Sequence, residues 1–156
     1  MGSEPPPRVE NILASIHVLS NRITRAFESR LDTMHGLTVP EWRVLLSVSS
    51  HPGLTAKDVH ERWAMDKMTV SRAVRRLASH GYVKRSDNPG DARSYVLKVT
   101  KKGNRLFEKI LPTADARYRE ILSCLSKSEQ ATLRRILGKL IAGTQTLQKG
   151  NGAREL

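Results

Sequence analysis

The chain has 156 residues, with 27 Lys and Arg against 15 Asp and Glu, for a net charge of +12. That length holds one domain with a sizeable core, and so large a basic excess points to nucleic acid, an anionic membrane or an acidic partner. The single cysteine, Cys124, excludes an intrachain disulfide, no apolar run approaches the ~20 residues of a membrane span, and the opening MGSEPPPRVE has no hydrophobic signal core, so no membrane partner and a cytoplasmic location are expected.

Residues 1–8 read as a Pro-rich, disordered tail. Val9 to Met34 reads as one long helix, with Ile12, Leu13, Ile16, Leu19, Ile23, Phe27 and Leu31 at helical spacing. His35-Gly36 stops it, because glycine tolerates the left-handed C-cap. Thr38-Val-Pro-Glu41 is a capping box with Pro40 in the first turn, flanked by Leu37 and Trp42 at staple positions. The second helix runs to Ser50 and ends at His51-Pro52-Gly53. A second capping box, Thr55 to Asp58 with Leu54 and Val59 as staple, opens a short helix ending near Trp63. After a turn of about three residues, Asp66 caps a fourth helix that Gly81 closes. Tyr82 to Arg85 and Tyr95 to Val99 read as strands around SDNPGDARS, whose Asn-Pro-Gly-Asp is strong turn chemistry. Thr100 caps a fifth helix, with a kink expected at Pro112, and the box Ser126 to Glu129 opens a sixth. Residues 149–156 read as a disordered tail.

The fourth helix concentrates the charge question. Val70, Ala73, Val74 and Leu77 fall on one side, and Met68, Thr69, Arg72, Arg75, Arg76 and Ser79 on the other, with no acid after Asp66. Residues 57–105 hold 13 of the basic residues and five acids. A helix that packs with one side and offers cations and hydrogen-bond donors with the other suits a polyanion. A helix-turn-helix followed at once by a hairpin is a winged helix, and the major groove of DNA admits one helix, read near its N-terminus. There stand Met68, Thr69, Ser71 and Arg72. Arg72 fits guanine O6 and N7, and Thr69 either a phosphate or a thymine methyl. Arg75 and Arg76 are placed for phosphates, and Arg93 on a mobile hairpin tip suits the minor groove. Asp91 is expected to hold the Arg93 guanidinium or to pair with a nearby arginine. The fold class is therefore mainly α with a small β-hairpin wing: a winged helix-turn-helix over 37–100, flanked by long helices at 9–36 and 101–148. Those flanking helices carry more apolar stripe than one small winged helix covers, which points to a dimer.

The stretch from GLTVPEWRVL through DKMTVSR and GYVKR to DARS and LKVTKKG resembles the MarR (multiple-antibiotic-resistance regulator) family of bacterial transcription factors. The resemblance covers residues 36–103, and the flanking helices extend it to nearly the whole chain. It implies a homodimer with interleaved first and last helices, binding double-stranded DNA at a pseudo-palindromic operator, usually as a repressor released by a small ligand. It also makes Arg93 the wing-tip arginine, with Asp91 as its partner, and Thr69, Ser71 and Arg72 the groove-reading positions.

Family members often bind aromatic acids or phenols between dimer helices and the DNA-binding lobe. His17, Arg22, Trp42, Arg43 and Tyr118 are candidate lining residues, since a Trp face and an Arg fork suit an aromatic carboxylate. Each has a plainer reading: Trp42 as core, His17 as a surface or interface histidine, and the others as solvated or interfacial. Cys124 reads as a small buried hydrophobe. No metal-ligand spacing, P-loop or nucleophile motif is present, so neither cofactor, metal nor catalysis is expected. The alternative is a nonspecific nucleic-acid-coating protein, which shares the charge but has no need of a polar, groove-facing helix end.

Overall fold

The computed structural model describes residues 11–151. Along the chain come α1 (Ile12–His35), α2 (Val39–Ser50), α3 (Ala56–Trp63), α4 (Lys67–Ser79), β1 (Val83–Asp87), β2 (Tyr95–Val99), α5 (Lys101–Leu122) and α6 (Lys127–Asn151). The fold is mainly helical with one antiparallel hairpin, as the sequence pattern requires. The chain divides into two compact units at Leu111 and Pro112, and α5 remains helical across that point.

In the first unit, α2 is the hub. It packs against α1, α3, α4 and β2. Its Trp42, Val44, Leu45 and Val48 are buried, together with Val59 of α3, Leu97 of β2 and Ile110 of α5. The apolar stripe of α4 (Val70, Ala73, Val74, Leu77) is buried as its periodicity demands. Both expected capping boxes form. Thr38 accepts from the Glu41 amide and Glu41 from the Thr38 amide, and Thr55 and Asp58 do the same. Asn11, not foreseen as a cap, accepts from the Ala14 amide at 2.7 Å and starts α1 at Ile12. The expected start at Val9 and the tail at 1–8 lie outside the described residues.

Two strand details differ from expectation. β1 begins at Val83 instead of Tyr82, because the Tyr82 amide donates to the Leu77 carbonyl at 2.9 Å and so belongs to the end of α4. Pairing then continues to Asp87 opposite Tyr95, which shortens the connecting loop. A further pairing was hidden in the segment read only as a cap. Thr55 bridges to Val96, and the Leu97 amide donates to the Leu54 carbonyl at 2.7 Å, so the α2–α3 connection forms a third rung beside β2.

Three segments meet at Gly103. A Cβ there would lie 2.0 Å from the Tyr82 carbonyl oxygen and 3.0 Å from Val99 Cγ2. The same carbonyl accepts from the Thr100 amide at 3.0 Å, and the Thr100 hydroxyl donates to the Gly81 carbonyl at 2.6 Å. Lys102 Nζ donates to the His80 carbonyl at 2.8 Å and sits over the Tyr82 ring. The first turn of α5 is thereby fastened to the end of α4 and the start of the wing.

In the second unit, Ser126 and Glu129 form the third capping box, and Gln130 Nε2 donates to the Leu122 and Leu125 carbonyls across the α5–α6 turn. Cys124 sits in that turn and is exposed, which corrects its reading as a buried hydrophobe: it falls past the end of α5, off the apolar face. α6 continues to Asn151, beyond the helix end expected at residue 148, and residues 152–156 lie outside the described residues. Among the described residues no helix is long and apolar enough to cross a membrane.

Gly103→Ala should destabilise the protein by about 2–3 kcal/mol through overpacking against backbone, although alanine is the better helix former by about 1 kcal/mol. Urea unfolding of the two proteins measures the difference. The amide and hydroxyl of Thr55 hold the Asp58 carboxyl below its ordinary 3.8. A depressed folded-state value stabilises above the unfolded value and is lost as pH falls through the folded one. Asp58→Asn should therefore lower the melting temperature at neutral pH, and the gap should close as both proteins are acidified below 3.8.

Candidate nucleic-acid interface

The recognition face is built from the cap of α4 outward. Asp66 has extended backbone and accepts from the Thr69 amide at 2.9 Å, which aligns the first turn. Its second oxygen accepts the Thr69 hydroxyl proton. That hydroxyl and amide hold the Asp66 carboxyl below its ordinary 3.8. The turn before it is tight. Ala64 adopts a left-handed conformation at φ 48°, and His60 Nδ1 pairs with the Met65 carbonyl.

From this start the helix presents Met68 at 64% exposure, with Arg72, Arg75 and Arg76 exposed and Thr69 and Ser71 half-buried. The six sequence-predicted residues of α4 therefore share one face of the helix. Arg76 differs from a simple phosphate-facing cation. Its Nε lies 3.2 Å from Oε1 of Glu41, a carboxylate 3% exposed, whose other oxygen accepts from the Thr38 amide at 2.8 Å. Arg76 thus helps seat α4 on α2. No local pattern announces this pair, since its members are 35 positions apart in the sequence.

The wing tip is ordered by its own polar groups, where the sequence suggested a mobile loop. Asn88 Oδ1 accepts from the Gly90 amide at 3.0 Å, while its Nδ2 donates to Ser94 Oγ at 2.7 Å. The Asp91 carbonyl accepts from the Ser94 amide at 3.0 Å. The Asp91 carboxylate accepts from the Arg93 backbone amide at 2.9 Å. This corrects the expected grip on a guanidinium: residues two apart in a tight turn bring carboxylate to amide, and the Arg93 side chain extends from the turn, exposed. Behind it, Arg85 lies over the Tyr95 ring at 4.4 Å. A groove of about 470 Å³ runs between the tip and the start of α3, lined by Lys57, Asp58, Asn88, Asp91 and Arg93.

The candidate ligand residues are not brought together in the first unit. Trp42 is 2% exposed and stacks on Phe107 at 5.9 Å, as core. Its Nε1 is buried without a hydrogen-bond partner. Arg43 lies over the Trp63 ring at 5.2 Å, and Trp63 Nε1 donates to Ser47 Oγ at 2.8 Å. His17 and Arg22 are exposed on α1. Tyr118 belongs to the second unit, 38% exposed. Among the described residues no three His, Cys, Asp or Glu side chains group as metal ligands.

A profile described as MarR family matches residues 35–94. The organic hydroperoxide resistance transcriptional regulator of Bacillus subtilis is 28% identical over 145 residues, 92% of this chain and 95% of its own. A MarR/EmrR family transcriptional regulator from Acinetobacter sp. ADP1 superposes with a TM-score of 0.80 at 25% identity, covering 86% of this chain and 94% of that one. BpsR of Bordetella bronchiseptica, whose DNA binding is regulated by 6-hydroxynicotinic acid, shares the fold with a TM-score of 0.77 at 22% identity, over 88% and 97% of the two chains. With its capped recognition helix, its arginine-tipped wing and relatives that are transcriptional regulators, the chain is similar to the MarR family of winged helix-turn-helix, DNA-binding regulators of transcription, whose profile it matches over residues 35–94.

Proposed function

We propose that this protein is a cytoplasmic, non-enzymatic repressor that binds a pseudo-palindromic operator as a homodimer. One observation carries the sequence-specific part: α4 buries its entire apolar stripe while its N-terminal turn and three arginines face outward on one side. Arg72 is assigned to a guanine edge, Arg75 to phosphate, and Arg93 to the adjacent minor groove. Ser71 and Met68 complete the groove-facing turn, and Arg76 joins its ion pair to Glu41 with a place on the same exposed face. Asp91 supports Arg93 through the backbone of the tip.

The dimer reading rests on apolar surface. In α1, Ile12 and Leu13 are 77% and 57% exposed, and in α6 Ile141 is 59% exposed with Ile136, Leu137 and Leu140 beside it. A lone chain leaves these stripes in water, and a second copy removes them from it. An aromatic acid or phenol is the proposed effector. The orphaned Trp42 Nε1 supports it as a buried donor that a carboxylate or phenolate would satisfy.

Selection from random DNA at near-physiological salt tests the reading. An enriched inverted repeat, with half-sites about one turn (~34 Å) apart, is the expected result. Binding that tracks only salt, with no enrichment, would make the chain a coating protein instead. On the selected operator, Arg72→Ala should cost roughly 1–3 kcal/mol and relax base preference at one position per half-site, measured by competition. Arg93→Ala should weaken binding, lower the slope of log affinity against log salt by about 1 per wing, and leave the melting temperature unchanged.

A further inference from the structure

Thr69 offers a nucleic acid two chemistries, a hydroxyl and a methyl group, and the cap of α4 decides between them. The hydroxyl proton is donated to one oxygen of Asp66, whose other oxygen accepts from the Thr69 amide. A phosphate is only an acceptor, so a threonine whose proton is already given away has nothing to donate to it. The hydroxyl bond to Asp66 holds the side chain while the amide bond holds its backbone, and a β-branched side chain has little freedom at its first torsion. What remains on Cβ is Cγ2. Asp66 is exposed, and its bonds to Thr69 hold its carboxyl below its ordinary 3.8, so the arrangement holds at neutral pH.

We infer that Thr69 is a specificity-determining residue that reads the C5-methyl group of a thymine, with Asp66 as the positioning residue that turns its hydroxyl away. The inference rests on the DNA-reading role proposed above and names the group read. In the major groove the C5-methyl marks thymine apart from the other bases, and threonine's methyl is a suitable apolar partner for it. Met68, 64% exposed one position earlier, is the other hydrocarbon at this helix end, so the test must depend on Thr69 itself.

The experiment replaces each thymine of the selected operator in turn by deoxyuridine, which lacks only the methyl group. It compares the wild-type protein with Thr69→Val, which keeps Cγ2, and Thr69→Ser, which keeps the hydroxyl. Thermal melts confirm that both variants fold. At one thymine per half-site, wild type should lose about fourfold in affinity, the worth of one buried methyl. Thr69→Val should keep that discrimination and the wild-type salt slope. Thr69→Ser should bind the natural operator about as weakly as wild type binds the uridine probe, and should no longer tell the probes apart. The inference is overturned if no thymine shows the effect, if Thr69→Ser retains it, or if Thr69→Val loses it. The last result would make the hydroxyl an acceptor for an adenine or cytosine amino group. Failure of the random-DNA selection to enrich any operator is a separate result and would remove the DNA-reading role itself.

Discussion

The winged helix hangs on a buried carboxylate. Glu41 is 3% exposed, and its two oxygens do different things: one accepts from the Thr38 amide and starts α2, while the other faces Arg76 and holds α4. A charge out of water is costly unless paired and hydrogen-bonded, so this side chain admits few arrangements of the helices around it. Ser47 is the other buried polar residue of α2, and it too ties α2 to a neighbour, accepting from Trp63 of α3. The apolar contacts of α2 supply the adhesion, while these two polar links fix the angle at which α3 and α4 leave it. The geometry of the recognition helix follows from them.

The helices were legible because their ends are written locally. Thr38 with Glu41, Thr55 with Asp58, and Ser126 with Glu129 are three positions apart, and each pair closes its own box. The stripe Val70, Ala73, Val74 and Leu77 is likewise a local repeat. What the sequence withheld is pairing between distant positions. The Glu41–Arg76 link, the rung from Leu54 to Leu97, and the contact of Gly103 with Tyr82 join segments that no short pattern connects. The same limit applied to the site. Every predicted DNA-facing residue of α4 lies on the expected side, but which of their atoms are already engaged depended on neighbours in space. Arg76 and Thr69 look alike as polar surface residues until their partners are known.

Both elements proposed to read DNA are ordered by the chain's own hydrogen bonds. The first turn of α4 is aligned by Asp66, and the wing tip is cross-linked by Asn88, Asp91 and Ser94. Ordering entropy at these places is spent in folding, so less is lost on binding. Arg72 and Arg93 differ from this framework. Their side chains extend from ordered backbone into solvent, leaving the final adjustment to long, flexible groups.

The junction at Gly103 gives the first turn of α5 a mechanical role. Backbone lies against backbone there, and hydrogen bonds from Thr100 and Lys102 grip the carbonyls of His80, Gly81 and Tyr82. Such a joint has no side-chain cushion to absorb displacement. The start of α5, the end of α4 and the root of the wing therefore turn together as one lever. A change in the direction of α5 at this turn presses directly on the Tyr82 carbonyl, with Gly103 as the point of contact.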